Sequence, residues 1–137
     1  MTTRLNPYLS FPDTAREAMD FYHSVFGGEL TRSTFAEMPG ADPVDKNKIM
    51  HSMLITEGGL TLMVADTPTG MDCTPGSNFA VSLSGEDEAE LRGYWDKLSE
   101  SGTVTAPLEA APWGDSFGMC VDRFGVPWMV NIAGAAA

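Results

Sequence analysis

The sequence is short of positive charge and of cysteine. Eight Lys and Arg residues stand against 19 Asp and Glu, which gives a formal net charge of -11. Such a charge repels phosphate backbones and anionic lipid surfaces, so neither nucleic acid nor a membrane is an expected partner. The two cysteines, Cys73 and Cys120, fit no metal-ligand spacing and no disulfide framework. We therefore expect free thiols and a cytoplasmic protein, with Cys120 in the core.

Long apolar runs and nucleophile motifs are also missing. No segment is apolar over the length that a bilayer requires, and a strand-like pattern starts so early that no leader peptide is expected. The sequence contains no GxSxG and no glycine-rich phosphate loop, and it has only two histidines. These absences argue against a serine hydrolase, a nucleotide-binding loop and a histidine-rich metal centre.

What the sequence does contain is a repeat. Residues 4–66 and residues 77–132 each follow the pattern strand, helix, strand, strand, strand, which indicates duplication. The predicted fold is α+β, with two tandem βαβββ modules that form a curved mixed sheet around a cavity. The 137 residues suit a single domain built from these two modules.

Periodicity and end signals define the elements. Residues 5–11 alternate as a strand, and Pro7 favours either an edge position or a bulge because it lacks an amide hydrogen. Helices are predicted over residues 14–26, with Asp13 as N-cap, and over residues 86–100. The other predicted strands are residues 29–36, 48–56, 60–65, 78–83, 104–110, 115–121 and 126–132.

Six short motifs carry a resemblance to a known family. They are AREAMDFY (15–22), VFGG (25–28), MHSML (50–54), LMVAD (62–66), WGD (113–115) and DRFGVPW (122–128). Together they resemble the PhnB-like branch of the vicinal oxygen chelate superfamily. This superfamily includes glyoxalase I, bleomycin-resistance proteins, fosfomycin-resistance enzymes and extradiol dioxygenases. The resemblance implies paired βαβββ modules, a homodimer and a pocket in the concave sheets.

The resemblance also implies the positions of the side chains that would bind a metal. Metal-using members take His, Glu or Gln ligands from the first and last strand of each module. The matching positions, to within one residue, are Asn6, Pro7, Tyr8, Leu62, Met63, Asn78, Phe79, Trp128, Met129 and Val130. None of these is His, Glu, Gln or Asp, and Asn and Met suit such a metal poorly. We expect no cofactor and no divalent metal at this position. Some PhnB-like sequences are labelled 3-demethylubiquinone methyltransferases, but no turn here suits S-adenosylmethionine.

Two groups of residues are candidates for function. His51 is either an acid, a base or a hydrogen-bond donor in a pocket, or a hydrogen-bonded histidine at the start of a strand. Aromatic and methionine side chains with a few polar groups are typical of ligand cavities, although any one of them could simply fill the core. The candidate pocket residues are Tyr8, Met63, Asn78, Trp113, Asp115, Phe124, Trp128, Met129 and Asn131.

The leading hypothesis is a small-molecule-binding PhnB-like protein that lacks the usual metal site and forms a homodimer. The alternative is a lyase, isomerase or dioxygenase-type enzyme with His51 as acid or base, perhaps with a divalent metal supplied unconventionally. A third hypothesis is a partner-binding module whose exposed sheet face mediates assembly. The sequence does not decide whether a reaction is catalysed.

Overall fold

The protein divides into two compact units, one ending at Thr74 and the other beginning at Pro75. The computed structural model describes residues 3–134. Each unit contains one α-helix and one four-stranded mixed sheet. The division falls inside the linker expected between the modules, and the predicted α+β fold of two tandem βαβββ modules is confirmed. Neither helix is long and apolar enough to cross a membrane.

The first unit follows the predicted order. Its elements are β1 (Tyr8–Phe11), α1 (Ala15–Phe26), β2 (Glu29–Thr34), β3 (Ile49–Ile55) and β4 (Thr61–Asp66). The strands are ordered β1-β4-β3-β2, with β1 parallel to β4 and the other pairs antiparallel. As Pro7 predicted, β1 lies at an edge of this sheet.

The core of the first unit lies between α1 and one face of the sheet. The apolar stripe of α1 packs against β3 and β4 because its residues recur at helical spacing. Alternate residues of β1, β3 and β4 are buried on the same side, since side chains of a strand point in turn to opposite faces. The buried set comprises Leu9, Phe11, Ala15, Ala18, Met19, Tyr22, Val25, Leu54, Leu62 and Val64.

The start of α1 corrects one prediction. Thr14, not Asp13, occupies the N-cap, and its side chain makes no capping hydrogen bond. The first helical amide, that of Ala15, donates instead to Oδ1 of Asp66 at 2.9 Å. Oδ2 of the same carboxylate accepts from the Ile49 amide at 2.9 Å. Asp66, the buried last residue of β4, therefore ties the beginnings of α1 and β3 to the end of β4.

Asp13 takes part in a second set of long-range contacts within the first unit. Its carboxylate pairs with Nζ of Lys48 at 2.8 Å, and Lys48 also pairs with the buried Asp45 at 3.2 Å. Asp45 accepts further hydrogen bonds from the amide and hydroxyl of Thr69. The Thr69 amide is the main cause that lowers the pKa of Asp45, and Asp13 is the main cause that raises the pKa of Lys48. The connection between β2 and β3 is thus fixed near its end.

The second unit repeats the first. Its elements are β5 (Val81–Gly85), α2 (Glu88–Glu100), β6 (Thr103–Ala110), β7 (Ser116–Val121) and β8 (Pro127–Ile132), and its strands are ordered β5-β8-β7-β6. Asp87 caps α2 by accepting from the Glu90 amide at 3.0 Å, so this helix starts two residues later than predicted. The strand β5 starts at Val81, which leaves Asn78 and Phe79 exposed before it.

Each unit contains an equivalent close backbone contact of its own. A Cβ added to Gly28, just after α1, would overlap the carbonyl of Ile55 at the end of β3. A Cβ added to Gly102, just after α2, would overlap the carbonyl of Val121 at the end of β7. In both units the chain leaving the helix passes directly over the end of the neighbouring hairpin, where only glycine fits. The duplication therefore extends to individual glycine positions.

Candidate functional site

In the first unit, the sheet face opposite α1 carries a set of aromatic, sulfur-containing and polar side chains. Tyr8 of β1 lies beside Met63 of β4, and Met63 lies beside Met53 of β3. His51, two residues from Met53, is paired with Ser33 of β2. Because directly paired residues project to the same side of a sheet, these five side chains share one face. We call them the Tyr8 face.

His51 and Tyr8 are the centre of this face. Their rings stack with centroids 6.0 Å apart and planes 28° from parallel, across the intervening strand β4. His51 is half-buried. The arrangement offers a ligand two aromatic rings, two thioethers and a ring nitrogen that can donate or accept a hydrogen bond.

The second unit has a comparable face opposite α2. Phe117 and Met119 of β7 lie beside Asn131 and Met129 of β8. The ring of Trp113, from the loop before β7, meets Phe117 edge-on with centroids 5.7 Å apart. We call these five side chains the Trp113 face. Sequence reasoning did not select Phe117, although its alternation with the buried Gly118 and Cys120 was a usable signal.

Asp115 fixes one corner of the Trp113 face. Its Oδ2 accepts from Nδ2 of Asn131 at 3.0 Å, and its Oδ1 accepts from the Gly134 amide at 2.9 Å. Hydrogen bonds from Asn131, Gly134 and Trp113 hold the pKa of Asp115 below its usual value. The carboxyl group is therefore ionised near neutral pH. Asn131 lies in an otherwise apolar run, where a side-chain amide needs a hydrogen-bond partner, and Asp115 is that partner.

Three of the nine candidate pocket residues lie elsewhere. Trp128 is on the α2 side of its sheet, 2% exposed, and its Nε1 donates to Oδ2 of Asp122 at 2.8 Å. Phe124 lies in the turn between β7 and β8, with the Arg123 guanidinium 5.1 Å from its ring centroid. Asn78 precedes β5 and is exposed. In the first unit the structure brings Tyr8 and Met63 together on the Tyr8 face. In the second unit it groups four candidates at the Trp113 face, namely Trp113, Asp115, Met129 and Asn131.

Cys120 lies in the core of the second unit. It is 1% exposed on the α2 side of β7. Burial, with a further contribution from Asp122, raises the pKa of its thiol to about 11. Such a thiol is protonated near neutral pH and is a poor nucleophile. Cys73, the other free cysteine, donates to the Ser10 carbonyl at 3.6 Å.

Comparison with known proteins identifies the family. The model of the Glyoxalase/Bleomycin resistance protein/Dioxygenase superfamily matches residues 4–130. The chain belongs to this superfamily. It is 35% identical to protein PA1353 from Pseudomonas aeruginosa, whose crystal structure superposes with a TM-score of 0.87 over 98% of this chain and 100% of that one.

Two further relatives match nearly the whole chain, and one of them is a PhnB protein. A Bacillus cereus PhnB protein, described as a putative 3-demethylubiquinone-9 3-methyltransferase, is 25% identical, with a TM-score of 0.74 over 96% of this chain and 100% of that one. Protein YjdN of Escherichia coli K12 is 29% identical over 93% of this chain and 94% of its own length. The predicted resemblance to PhnB-like members of the superfamily is confirmed.

Strand register relates the positions that the resemblance suggests for a metal. On the open side of the first sheet the candidates Tyr8 and Met63 are paired, and the equivalent register in the second sheet pairs Ser82 with Met129. Ser82, rather than Asn78 or Phe79, is thus the counterpart of Tyr8. A phenol, a hydroxyl and two thioethers do not match zinc, iron or manganese, which bind imidazole and carboxylate. Among residues 3–134, no three His, Cys, Asp or Glu side chains are grouped to hold a metal ion.

Proposed function

We propose that the protein is a small-molecule-binding PhnB-like member of the superfamily and does not use a metal at the usual position. The observation that carries this proposal is the composition of the two open faces. Each combines aromatic and methionine side chains with a few polar groups, which is the usual make-up of a ligand site. The second part of the proposal is supported by the side chains at the suggested metal positions, which are Tyr8, Met63, Ser82 and Met129 and are poor metal ligands.

Exposure distinguishes these side chains from core residues. The tightly packed residues of each unit lie on the helix side of the sheet, whereas Tyr8 is 53% exposed and Trp113 is 61% exposed. Covering an aromatic ring of this kind with a flat ligand removes apolar surface from water at about 25 cal/mol per Å². The apolar area left on the open faces is therefore available to stabilise a complex.

A ligand screen tests the proposal. Flat aromatic compounds of positive, neutral and negative charge are added to the full chain, and the unfolding midpoint is followed. Binding to the native state raises the midpoint by an amount that grows with the logarithm of ligand concentration over the dissociation constant. We expect Tyr8→Ala or Trp113→Ala to lose the rise produced by a given compound. Val44→Ala is the matched control, because Val44 is 70% exposed and lies on neither open face. Failure of every compound to raise the wild-type midpoint would refute the proposal.

An enzyme of lyase, isomerase or dioxygenase type is the second candidate. One observation favours it, namely that the His51 imidazole lies on an open face beside Tyr8. A ring nitrogen in that position suits proton transfer to or from a bound molecule. Metal analysis of the purified protein and turnover by His51→Ala discriminate the two candidates, with His23→Ala as the control at the other histidine. Stoichiometric metal, and turnover that only His51→Ala abolishes, would replace the binding function by the enzymatic one.

We also propose that the protein is a homodimer in the cytoplasm. An edge strand such as β1 offers unpaired backbone groups, and two-fold pairing is the commonest way to cover them. The two free thiols suit a reducing compartment. A monomeric mass by light scattering at micromolar concentration would contradict the dimer.

A further inference from the structure

Positive side chains are absent from the open faces of both sheets. Of the eight Lys and Arg residues, only Arg32 lies within a strand. It projects to the α1 side, where it pairs with Asp20 at 3.1 Å. The other seven lie in helices, turns and connections, at Arg4, Arg16, Lys46, Lys48, Arg92, Lys97 and Arg123. An anionic ligand on the Trp113 face would therefore meet no lysine or arginine of a strand that could balance its charge.

The Trp113 face instead carries two carboxylates around its aromatic pair. Asp115 adjoins Asn131 at one side, and Glu109 of β6 is paired in register with Phe117 at the other. Asp115 accepts hydrogen bonds from neutral donors, and no cation within residues 3–134 forms an ion pair with Asp115 or Glu109. Both negative charges therefore remain uncompensated beside exposed aromatic surface.

The loop that presents Trp113 is held in place at several points. The Ala111 amide donates to the Asp115 carbonyl at 2.7 Å, and the Gly114 amide donates to the Ala111 carbonyl at 3.0 Å. Gly134 packs so closely on this loop that an added Cβ would overlap the Gly114 carbonyl. An aromatic ring that is largely exposed, yet attached to a well-anchored loop, loses little freedom when a ligand stacks on it.

We propose that the Trp113 face selects a flat organic cation, which stacks on Trp113 while Asp115 and Glu109 balance its charge. A cation lying within about 6 Å of an indole centroid is attracted by the negative face of the ring. The two carboxylates add Coulomb attraction and would repel a carboxylate or phosphonate of similar shape. This inference rests on the proposed small-molecule binding and names the class of ligand.

A matched set of probes tests the inference. 1-Methylquinolinium, quinoline at pH 8 and quinoline-2-carboxylate share a ring system and carry positive, zero and negative charge. Isothermal titration of the full chain measures the three affinities. We expect the cation to bind about five- to tenfold more tightly than quinoline at low salt, since a charge pair at an exposed site contributes roughly this factor. The ratio should fall as salt is added, and the carboxylate should bind most weakly.

Variants assign the effect to the named residues. Glu109→Gln should reduce the preference for the cation over quinoline about threefold, because it removes one of the two carboxylate charges beside the aromatic pair. Asp115→Asn should do the same, and Trp113→Ala should weaken both probes. Glu57→Gln removes an exposed carboxylate from the hairpin turn between β3 and β4 and should change nothing.

Each remaining outcome has a defined meaning. Equal binding of cation and quinoline, or tighter binding of the carboxylate, overturns the charge selection and leaves the small-molecule function standing. The same holds if none of the three probes binds although other compounds raise the unfolding midpoint. Unchanged preference in Glu109→Gln and Asp115→Asn would also overturn the inference. If no compound of any charge binds, the proposed function and this inference fail together.

Discussion

Asp66 offers a direct test of how the first unit is held together. Its carboxylate accepts from the Ala15 amide with one oxygen and from the Ile49 amide with the other, both at 2.9 Å. Asp66→Ala removes both acceptors and leaves two buried backbone donors unpaired. A hydrogen bond to a charged group contributes about 1.5 to 3 kcal/mol. We therefore expect the free energy of unfolding to fall by about 3 to 5 kcal/mol, part of it from lost charge at the N-terminus of α1.

Urea denaturation followed by circular dichroism measures this loss. With a denaturant slope of about 1.5 kcal/mol per M, the midpoint should fall by about 2 to 3 M. Asp66→Asn keeps one acceptor oxygen and should lose about half as much. Asp20→Ala is the control, because its ion pair with Arg32 is largely exposed and contributes about 0 to 1 kcal/mol. If Asp66→Ala costs no more than Asp20→Ala, the two buried hydrogen bonds do not stabilise the unit as argued.

Two further predictions concern glycine and pH. Gly93→Ala, at an exposed position of α2 with nothing near its Cβ, should raise stability by about 0.5 to 1 kcal/mol, whereas Gly102→Ala should lower it by about 1 to 3 kcal/mol because of its contact with Val121. Thermal unfolding of both variants checks the opposite signs, and a stabilised Gly102→Ala would contradict the close contact. The pKa of Asp45 is lowered from 3.8, so the stability that its charge supplies is present above that pH and disappears as pH falls through the folded-state pKa. The difference in urea midpoint between wild type and Asp45→Asn should accordingly close as pH falls below 3.8 and through the folded-state pKa, and a gap independent of pH would refute the assignment.

The sequence predicts local features of the fold well. The helical stripes, the glycines that follow the helices and the alternation of β3, β4, β7 and β8 depend on residues close in the chain. Each of these predictions agrees with the structure to within a few residues. The edge position of β1 was also predictable, because the missing amide hydrogen of Pro7 is a property of one residue.

Contacts between distant residues explain the errors. Asp13 has the right chemistry and position for an N-cap, but Lys48 binds it, and the amide of Ala15 is satisfied by Asp66, 51 residues away. The alternating pattern of β8 does not indicate which face of the strand packs against α2. Trp128 therefore seemed a pocket residue, although the structure buries it on the α2 side of the sheet, where it also donates to Asp122.

The sequence predicted the types of side chain in the candidate site better than it predicted which residues form it. Tyr8, Met63, Trp113, Met129 and Asn131 could be chosen as aromatic, sulfur-containing or amide side chains at strand ends. Phe117 could have been chosen from its alternation with Gly118 and Cys120. Glu109 could not, because it reaches the Trp113 face through the pairing of β6 with β7, and the register of that pair contains irregularities. Bulges of this kind have no reliable signal in a single sequence.

The glycines that follow the two helices bear on how the repeat has diverged. Gly28 and Gly102 occupy the same place in their units, and a side chain at either position would collide with the backbone. Tyr8 and Ser82 also occupy matched positions, yet one carries a phenol ring and the other only a hydroxymethyl group. The two copies thus keep the same residue where a close backbone contact excludes a side chain. They differ in chemistry where the side chains are exposed on the open faces. Grafting the open-face residues of one copy onto the other would exchange chemistry without disturbing these shared backbone contacts.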